Sequence, residues 1–125
     1  MNEQTEPQKI LVVDDDPYIL MSLEFLMKKN GYNVLVARNG TEAMQIVKEF
    51  IPDIVLLDIM MPDVNGYEIC KYIKSTKKLA HSKVVFLSAK SSEADIKKGY
   101  DLGASLYISK PFSTRNIVSQ LKELK

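Results

Sequence analysis

The sequence predicts an α/β fold in which a doubly wound, five-stranded parallel sheet is covered by helices on both faces. Three observations predict it. Short apolar segments alternate with amphipathic segments five times along the 125 residues. The apolar segments, such as Ile54 to Leu57, are continuous, which is typical of strands that are buried on both faces of a parallel sheet. The segments between them are long enough for helical crossovers, which parallel strands require.

Each apolar segment is predicted to form one strand. The predicted strands are Lys9–Val13, Val34–Val36, Ile54–Leu57, Val84–Leu87 and Leu106–Ile108. For a chain of this size, the common parallel arrangement is the flavodoxin-like strand order 2-1-3-4-5. Its switch point lies between strands 1 and 3, and ligands bind there, outside the carboxyl ends of the strands.

Helix-capping residues precede the amphipathic segments. Asp16 is placed as an N-cap before Pro17, which suits the first helical position. The other four helices are predicted to open at Asn39, Asn65-Gly66, Ser91-Ser92-Glu93 and Ser113. Asn30-Gly31, Pro52 and Gly103 mark the ends of the first, second and fourth helices. Strand and helix therefore alternate through five units.

Composition indicates one globular domain. Hydrophobic residues make up 46% and charged residues 26% of the chain, which is ordinary for a soluble protein. We expect residues 1–8, which are polar after Met1, to form a flexible tail, and residues 9–125 to form the domain. Cys70 is the only cysteine, which excludes an internal disulfide and a cysteine-based metal cluster. The acidic N-terminus does not resemble a signal peptide, so we expect a cytoplasmic protein.

Charge excludes some classes of partner. The 17 basic and 16 acidic residues give a net charge of +1, so no bulk field favours nucleic acid or a membrane. The lysines Lys71, Lys74, Lys77 and Lys78 are most simply a solvated face of the third helix. His81 lies in a polar loop and is expected to be solvated.

Polar residues follow the strands that flank the predicted switch point. Asp14 and Asp15 follow the first strand, Asp58 the third, Ser88 the fourth and Lys110 the fifth. A parallel sheet brings these ends to one edge. Three carboxylates in one pocket repel one another unless a cation compensates, and a site with few oxygen ligands suits Mg²⁺. Such a site, with a lysine and a hydroxyl, is complementary to a phosphoryl group.

These residues carry a resemblance to a known family. The sequence resembles the receiver domains of two-component response regulators, the CheY-like family. The resemblance rests on residues that occur in the family's order and spacing over nearly the whole chain. They are Asp14-Asp15 after Val12-Val13, Asp58 followed by Met60-Met61-Pro62 and Gly66, Ser88-Ala89, and Lys110-Pro111.

The resemblance implies a role for each of these residues. Asp58 would be the phosphoacceptor, taking a phosphoryl group from a sensor histidine kinase or a histidine phosphotransfer protein. Asp15, Asp58 and the Met60 carbonyl would bind Mg²⁺, for which Mn²⁺ could substitute, and Asp14 would act through metal-bound water. Three further residues, Ser88, Ala89 and Lys110, would bind phosphoryl oxygens. The bond between Lys110 and Pro111 would be cis.

The resemblance also implies a switch rather than an enzyme with turnover. The Ser88 hydroxyl would move towards the phosphoryl group, and Tyr107 would rotate to fill the vacated space. This would change the face formed by the fourth helix, the fifth strand and the fifth helix, where an unknown target binds. The implied partners include no nucleic acid or membrane, and the domain would be a monomer or a weak phosphorylation-dependent dimer. The fourth helix is expected to be among the less stable ones, since it has few apolar residues and contains Gly99.

Two other functions remain possible from the residues alone. One is a phosphatase of the haloacid dehalogenase type, with Asp14 as nucleophile and Asp16 as acid/base, although Pro17 fits this poorly. The other is a flavodoxin-like cofactor binder, although three acids after the first strand would repel a phosphate. The residues also leave open whether the chain is a complete single-domain regulator or part of a longer protein.

Overall fold

The five predicted strands form one parallel sheet. The structure, a computed structural model, describes residues 7–124. The sheet order is β2-β1-β3-β4-β5, as predicted, and every pairing is parallel. Its strands are β1 (Lys9–Val13), β2 (Asn33–Ala37), β3 (Ile54–Leu57), β4 (Lys83–Ser88) and β5 (Leu106–Ser109).

Five α-helices connect the strands, also as predicted. They are α1 (Pro17–Lys29), α2 (Gly40–Phe50), α3 (Gly66–Ser75), α4 (Glu93–Asp101) and α5 (Thr114–Lys122). Each begins after a residue whose side-chain oxygen accepts a hydrogen bond from a backbone N–H of the first turn: Asp16, Asn39, Asn65, Ser92 and Ser113. Asp16 is therefore a helix cap. A short 3₁₀ helix, Lys77–Leu79, was not predicted.

The sheet separates two apolar layers. On one face, β1, β3 and β4 pack against α2 and α3, with Phe86 and Ile69 fully buried. On the other face, the alternate strand residues pack against α1 and α5, including Leu23 and Ile117. All four residues of β3 are buried, so the continuous apolar segment was correctly interpreted as a central strand.

The register of the strands positions the functional edge. Val13 at the end of β1 pairs with Leu57 at the end of β3, and Leu57 pairs with Phe86 of β4. The Asp58 N–H donates to the Val13 carbonyl at 3.0 Å, so the pairing continues one residue beyond the strands. The residues that follow the strands are consequently held at a single edge.

Some predictions were incomplete or fall outside the described residues. Lys71, Lys77 and Lys78 are exposed, but Lys74 is half-buried, and its ammonium donates to the carbonyls of Ala80 and Ser82. Lys74 therefore closes the turn before β4 and is not part of a solvated face. Residues 1–6 of the predicted tail lie outside the described residues, and the Gln8 carbonyl accepts a hydrogen bond from Asn33. Among residues 7–124, no helix is long and apolar enough to cross a bilayer.

Candidate functional site

Three carboxylates meet at the carboxyl edge of the sheet. Asp14 and Asp15 follow β1, and Asp58 follows β3. One carboxylate oxygen of each lies within 4.8 Å of those of the other two. Asp14 and Asp58 are buried, with 1% and 5% of their surface exposed, whereas Asp15 is exposed. The cluster predicted from strand topology is thus present and opens to solvent at Asp15.

Asp14 is held by two hydrogen bonds. Its Oδ1 accepts from the Asp16 N–H at 2.9 Å, and its Oδ2 accepts from the Lys110 ammonium at 2.8 Å. Both carboxylate oxygens are therefore engaged. A nucleophile needs an oxygen free to approach its substrate, so this geometry does not favour the phosphatase alternative in which Asp14 attacks.

Lys110 brings a positive charge into the cluster. Its Nζ lies 2.8 Å from Asp14 and 3.7 Å from Asp58, and 18% of its side chain is exposed. The Lys110 N–H donates to the Ser88 carbonyl at 2.9 Å, which continues the pairing of β4 with β5. The peptide bond between Lys110 and Pro111 is cis.

The environment of Asp58 raises its pKa to about 6. Burial is the main cause, because it penalises the charged form, and the negative charge of Asp14 adds to it. The charge of Lys110 and a hydrogen bond from the Met60 backbone N–H act in the opposite direction. Asp58 is consequently a carboxylate at neutral pH that gains strongly from a compensating cation.

Ser88 and Ala89 lie at the end of β4 on the same edge. Ser88 is buried, and its hydroxyl oxygen accepts a hydrogen bond from the Lys90 N–H at 3.1 Å. Ala89 follows Ser88 and is exposed. Ser88 pairs with Ser109, the residue before Lys110, so the hydroxyl and the ammonium arise from adjacent strands.

Tyr107 belongs to an aromatic cluster that joins four elements. Its ring centroid lies 5.8 Å from that of Phe86, which lies 5.4 Å from that of Tyr67 in α3. The Tyr107 hydroxyl donates to the Lys90 carbonyl, and the Tyr67 hydroxyl donates to the Asp95 carbonyl at 3.0 Å. Burial raises the pKa of Tyr107, while the hydroxyls of Tyr67 and Ser88 lower it. The contribution of Tyr67 was not predicted, because at the start of α3 it has the pattern of a core residue.

The loop between β3 and α3 passes close to Asp58. The Gly66 N–H donates to the Ile59 carbonyl at 2.8 Å. A Cβ atom on Gly66 would overlap the Asp58 carbonyl oxygen and the Ile59 Cα. Gly66 is therefore required by the close approach of the α3 N-terminus to the backbone of Asp58 and Ile59.

The donor set fits a hard divalent cation. The three grouped side chains, Asp14, Asp15 and Asp58, offer only carboxylate oxygens. Two of the carboxylates are buried, and one half-buried ammonium lies beside them, which leaves an excess of negative charge in the cluster. Oxygen ligands that leave room for water suit Mg²⁺.

Comparison with known proteins finds one family over most of the chain. The family model of the response regulator receiver domain matches residues 10–122. The chain is 27% identical to a CheY-like receiver domain protein from Methanospirillum hungatei, with a TM-score of 0.88 over 94% of this chain and 92% of that one. It is 34% identical to the BeF₃-activated DrrB receiver domain, with a TM-score of 0.84 over 93% and 95%.

A third similar structure is a receiver domain that belongs to a histidine kinase. It is the signal receiver domain of a signal transduction histidine kinase from Syntrophus aciditrophicus, 30% identical, with a TM-score of 0.83 over 92% of this chain and 87% of that one. The match extends over nearly all of the sheet and helices described above. With its carboxylate cluster, its buried serine and its lysine on one edge, the chain belongs to the response regulator receiver domains of two-component systems, a family of signalling domains.

Proposed function

We propose that Asp58 accepts a phosphoryl group from a phosphohistidine, in a reaction that depends on Mg²⁺. The observation that carries this proposal is the placement of Lys110 3.7 Å from a buried Asp58 inside a cluster of three carboxylates. The donor is a sensor histidine kinase or a histidine phosphotransfer protein, the partners of receiver domains. The product is an aspartyl phosphate that switches the domain.

The transfer exchanges one bond to phosphorus for another. An Asp58 carboxylate oxygen attacks phosphorus, the bond between phosphorus and the donor imidazole breaks, and its electron pair returns to that nitrogen. The pKa of about 6 keeps Asp58 ionised at neutral pH, as a nucleophile must be. Because Asp58 is buried and fixed by its strand, attack requires little reorganisation of the protein.

The surrounding residues stabilise charge on the transferring group. Lys110 lies where its ammonium can neutralise an equatorial phosphoryl oxygen. The Ser88 hydroxyl and the Ala89 N–H provide donors for another oxygen. Asp15, Asp58 and the Met60 carbonyl would hold Mg²⁺, with Asp14 acting through bound water. Bound Mg²⁺ supplies positive charge against the phosphoryl oxygens and the carboxylates.

Similarity to an activated relative supports this proposal. The DrrB receiver domain, which this chain matches with 34% identity, is activated by BeF₃. Beryllium fluoride bound to a carboxylate imitates an aspartyl phosphate in shape and charge. We expect Asp58 of this chain to bind beryllium fluoride in the same way.

The aromatic cluster provides a route from the site to the surface. A phosphoryl group adds about −1.5 to −2 charges and strong acceptor oxygens beside Ser88. If the Ser88 hydroxyl turns to donate to it, the hydroxyl leaves the Lys90 N–H, and the Lys90 carbonyl is the acceptor of the Tyr107 hydroxyl. Tyr107 then adjusts, and with it the face formed by α4, β5 and α5, where a target binds.

An exposed apolar stripe on α1 adjoins the site and suits the donor protein. Tyr18, Met21 and Phe25 lie one helical turn apart and are 79%, 66% and 68% exposed. Beside them, a cleft of about 370 Å³ has Met21 on its wall and reaches Asp14 and Asp15. Because the cleft leads from this stripe to the carboxylate cluster, we propose that the donor protein docks on the stripe. Phe25→Ser should therefore slow transfer from a phosphorylated partner and leave labelling by a small donor unchanged.

Labelling with acetyl phosphate tests the proposed function directly. The parent protein in MgCl₂ should gain the mass of one phosphoryl group, and chelation by EDTA should prevent it. Asp58→Asn should abolish the gain. Asp16→Asn is the matched control, since asparagine also caps helices and Asp16 has no role in the chemistry. Equal labelling of the parent and of Asp58→Asn would contradict the proposal.

A further inference from the structure

Asp63 links the loop after the acceptor strand to a different helix. The loop runs from Asp58 to Gly66 and contains Met60. The Asp63 carboxylate accepts three hydrogen bonds from the first turn of α2. It accepts from the Gly40 N–H at 3.0 Å, from the Thr41 N–H at 2.8 Å and from the Thr41 hydroxyl at 2.7 Å. These bonds join residues more than twenty positions apart in the chain.

Close backbone packing strengthens the same link. Gly40 is buried, and a Cβ atom there would overlap the Cβ of Val64 and lie 3.0 Å from its carbonyl oxygen. Only glycine lets the first turn of α2 approach the loop this closely. The hydrogen bonds from Thr41 and Gly40 also hold the pKa of the Asp63 carboxyl well below its usual range. The anchor is therefore charged throughout the physiological pH range.

The other end of the loop is fixed as well. Gly66 contacts the Asp58 and Ile59 backbone, and its N–H donates to the Ile59 carbonyl. Met60 lies between Ile59, which is bonded to Gly66, and Asp63, which is bonded to α2. Its side chain is 61% exposed and so provides little anchoring of its own. The Met60 backbone is therefore held by its N–H bond to Asp58 and by the contacts that fix the loop on either side.

We propose that Asp63 is a positioning residue, which anchors the loop to α2 and thereby holds the Met60 carbonyl in place for Mg²⁺. This inference rests on the proposed function, because it takes Met60 as a metal ligand. Asp63 does not itself reach the metal cluster and acts through the backbone. Groups that orient metal ligands typically change metal affinity by about 10- to 100-fold when they are removed.

A magnesium titration followed by ¹⁵N NMR tests this directly. Asp63→Ala should bind Mg²⁺ about ten-fold more weakly than the parent. Asn39→Ala is the matched control, because the Asn39 side chain also caps α2, through the Glu42 N–H at 2.9 Å, but forms no hydrogen bond to the loop between residues 58 and 66. Both variants lose α2 capping, so both should be less stable, but only Asp63→Ala should lose magnesium affinity.

Two further variants separate anchoring from a general loss of structure. Asp63→Asn keeps one of the two acceptor oxygens and places an NH₂ group, which can only donate, at the other, so it should recover only part of the lost affinity. Thr41→Val removes the hydroxyl bond alone and should weaken magnesium binding by a smaller factor in the same direction. It also replaces Asp63→Ala if that variant does not fold. Amide hydrogen exchange at Gly40 and Thr41 should accelerate in parallel with the loss of affinity.

The possible outcomes distinguish this inference from the proposed function. If the parent binds Mg²⁺ and Asp58→Asn does not, the metal site stands. Equal magnesium affinity of the parent, Asp63→Ala and Thr41→Val would then overturn the anchoring role alone. A similar loss of affinity in Asn39→Ala would overturn it too, since α2 stability rather than the link would be responsible. Failure of the parent to bind Mg²⁺ would instead remove the proposed function.

Discussion

At the scale of single residues, Asp58 is in an unusual electrostatic position. It is buried beside Asp14, and its nearest positive charge, Lys110, is 3.7 Å away and already paired with Asp14 at 2.8 Å. Its pKa of about 6 shows that the lysine does not fully offset burial and repulsion. Asp58 therefore makes the metal-free fold less stable at neutral pH.

Replacing Asp58 should expose this cost. The folded pKa of about 6 lies above the ordinary value of 3.8, so the carboxyl stabilises the fold when it is protonated. This stabilisation is complete below pH 3.8 and is lost as the pH rises through 6. Without metal, Asp58→Asn should raise the free energy of unfolding by about 2–3 kcal/mol at neutral pH. Urea unfolding at a series of pH values measures this, and the gain should vanish below about pH 4.

Lys110 should lower the pKa of Asp58 as well as assist transfer. Lys110→Ala removes the nearest positive charge, so the Asp58 pKa should rise above about 6. Titration of the carboxyl carbon by ¹³C NMR measures it. Lys110→Arg keeps the charge and should leave the pKa closer to that of the parent. The alanine variant should also be labelled by acetyl phosphate at least about ten-fold more slowly, because it lacks the positive charge that stabilises the transferring phosphoryl group.

At the scale of elements, α4 is the helix that is least tied to the core. Gly99 is its only buried residue, and it faces the rings of Tyr107 and Phe86. A Cβ atom there would lie 2.9 Å from Tyr107 and 3.0 Å from Phe86. Phe86 is fully buried, so the half-buried Tyr107 ring is the group that can move. Helix α4 and the proposed switch residue therefore share one limited space.

Gly99→Ala should destabilise the protein because α4 and the Tyr107 ring compete for this space. In a free helix the change would stabilise by up to about 1 kcal/mol. Here it should destabilise the protein by about 1–3 kcal/mol, because the methyl group crowds the Tyr107 ring. The cost should largely disappear in the background of Tyr107→Ala, and urea unfolding of the four proteins in this cycle measures the coupling. Additive effects of the two changes would show that the residues do not compete.

The elements themselves could be predicted because their signals are local. A helix cap or a continuous apolar strand can be recognised from a few neighbouring residues, as at the caps Asp16, Asn39 and Ser113. Lys74 was misinterpreted because its position on the helix indicates a solvated lysine, while its partners are carbonyls beyond the helix. Hydrogen bonds from a helix side chain to a later turn depend on where that turn folds back. The spacing of apolar residues in the helix carries no information about this.

At the scale of the whole molecule, the sheet topology made the site predictable. Parallel strands with aligned ends bring Asp14, Asp58 and Lys110 together, whatever their separation in the chain. The link between Asp63 and Gly40 could not be predicted in this way, since both residues lie in connections whose packing the topology does not determine. Asp63 has the pattern of an ordinary loop acid, and its role follows from tertiary placement alone.

Magnesium should stabilise the whole domain in a pH-dependent manner. A ligand present at ten times its Kd adds about 1.4 kcal/mol to the free energy of unfolding. Protons compete with the metal for Asp58, whose pKa is about 6, so the gain should be large at neutral pH and smaller at about pH 5. Thermal unfolding with and without MgCl₂ at both pH values measures it. A magnesium effect that persists unchanged in Asp58→Asn would place the metal elsewhere.

The ion pair between Lys110 and Asp14 spans 96 positions of the chain. During synthesis, β1 and β3 leave the ribosome well before β5, so the nascent polypeptide holds its acidic residues without their counter-charge. The cluster is completed only when the last strand joins the edge of the sheet. A chain that stops before β5 therefore lacks the counter-charge for its buried acids, so formation of this ion pair reports on the completion of the fold.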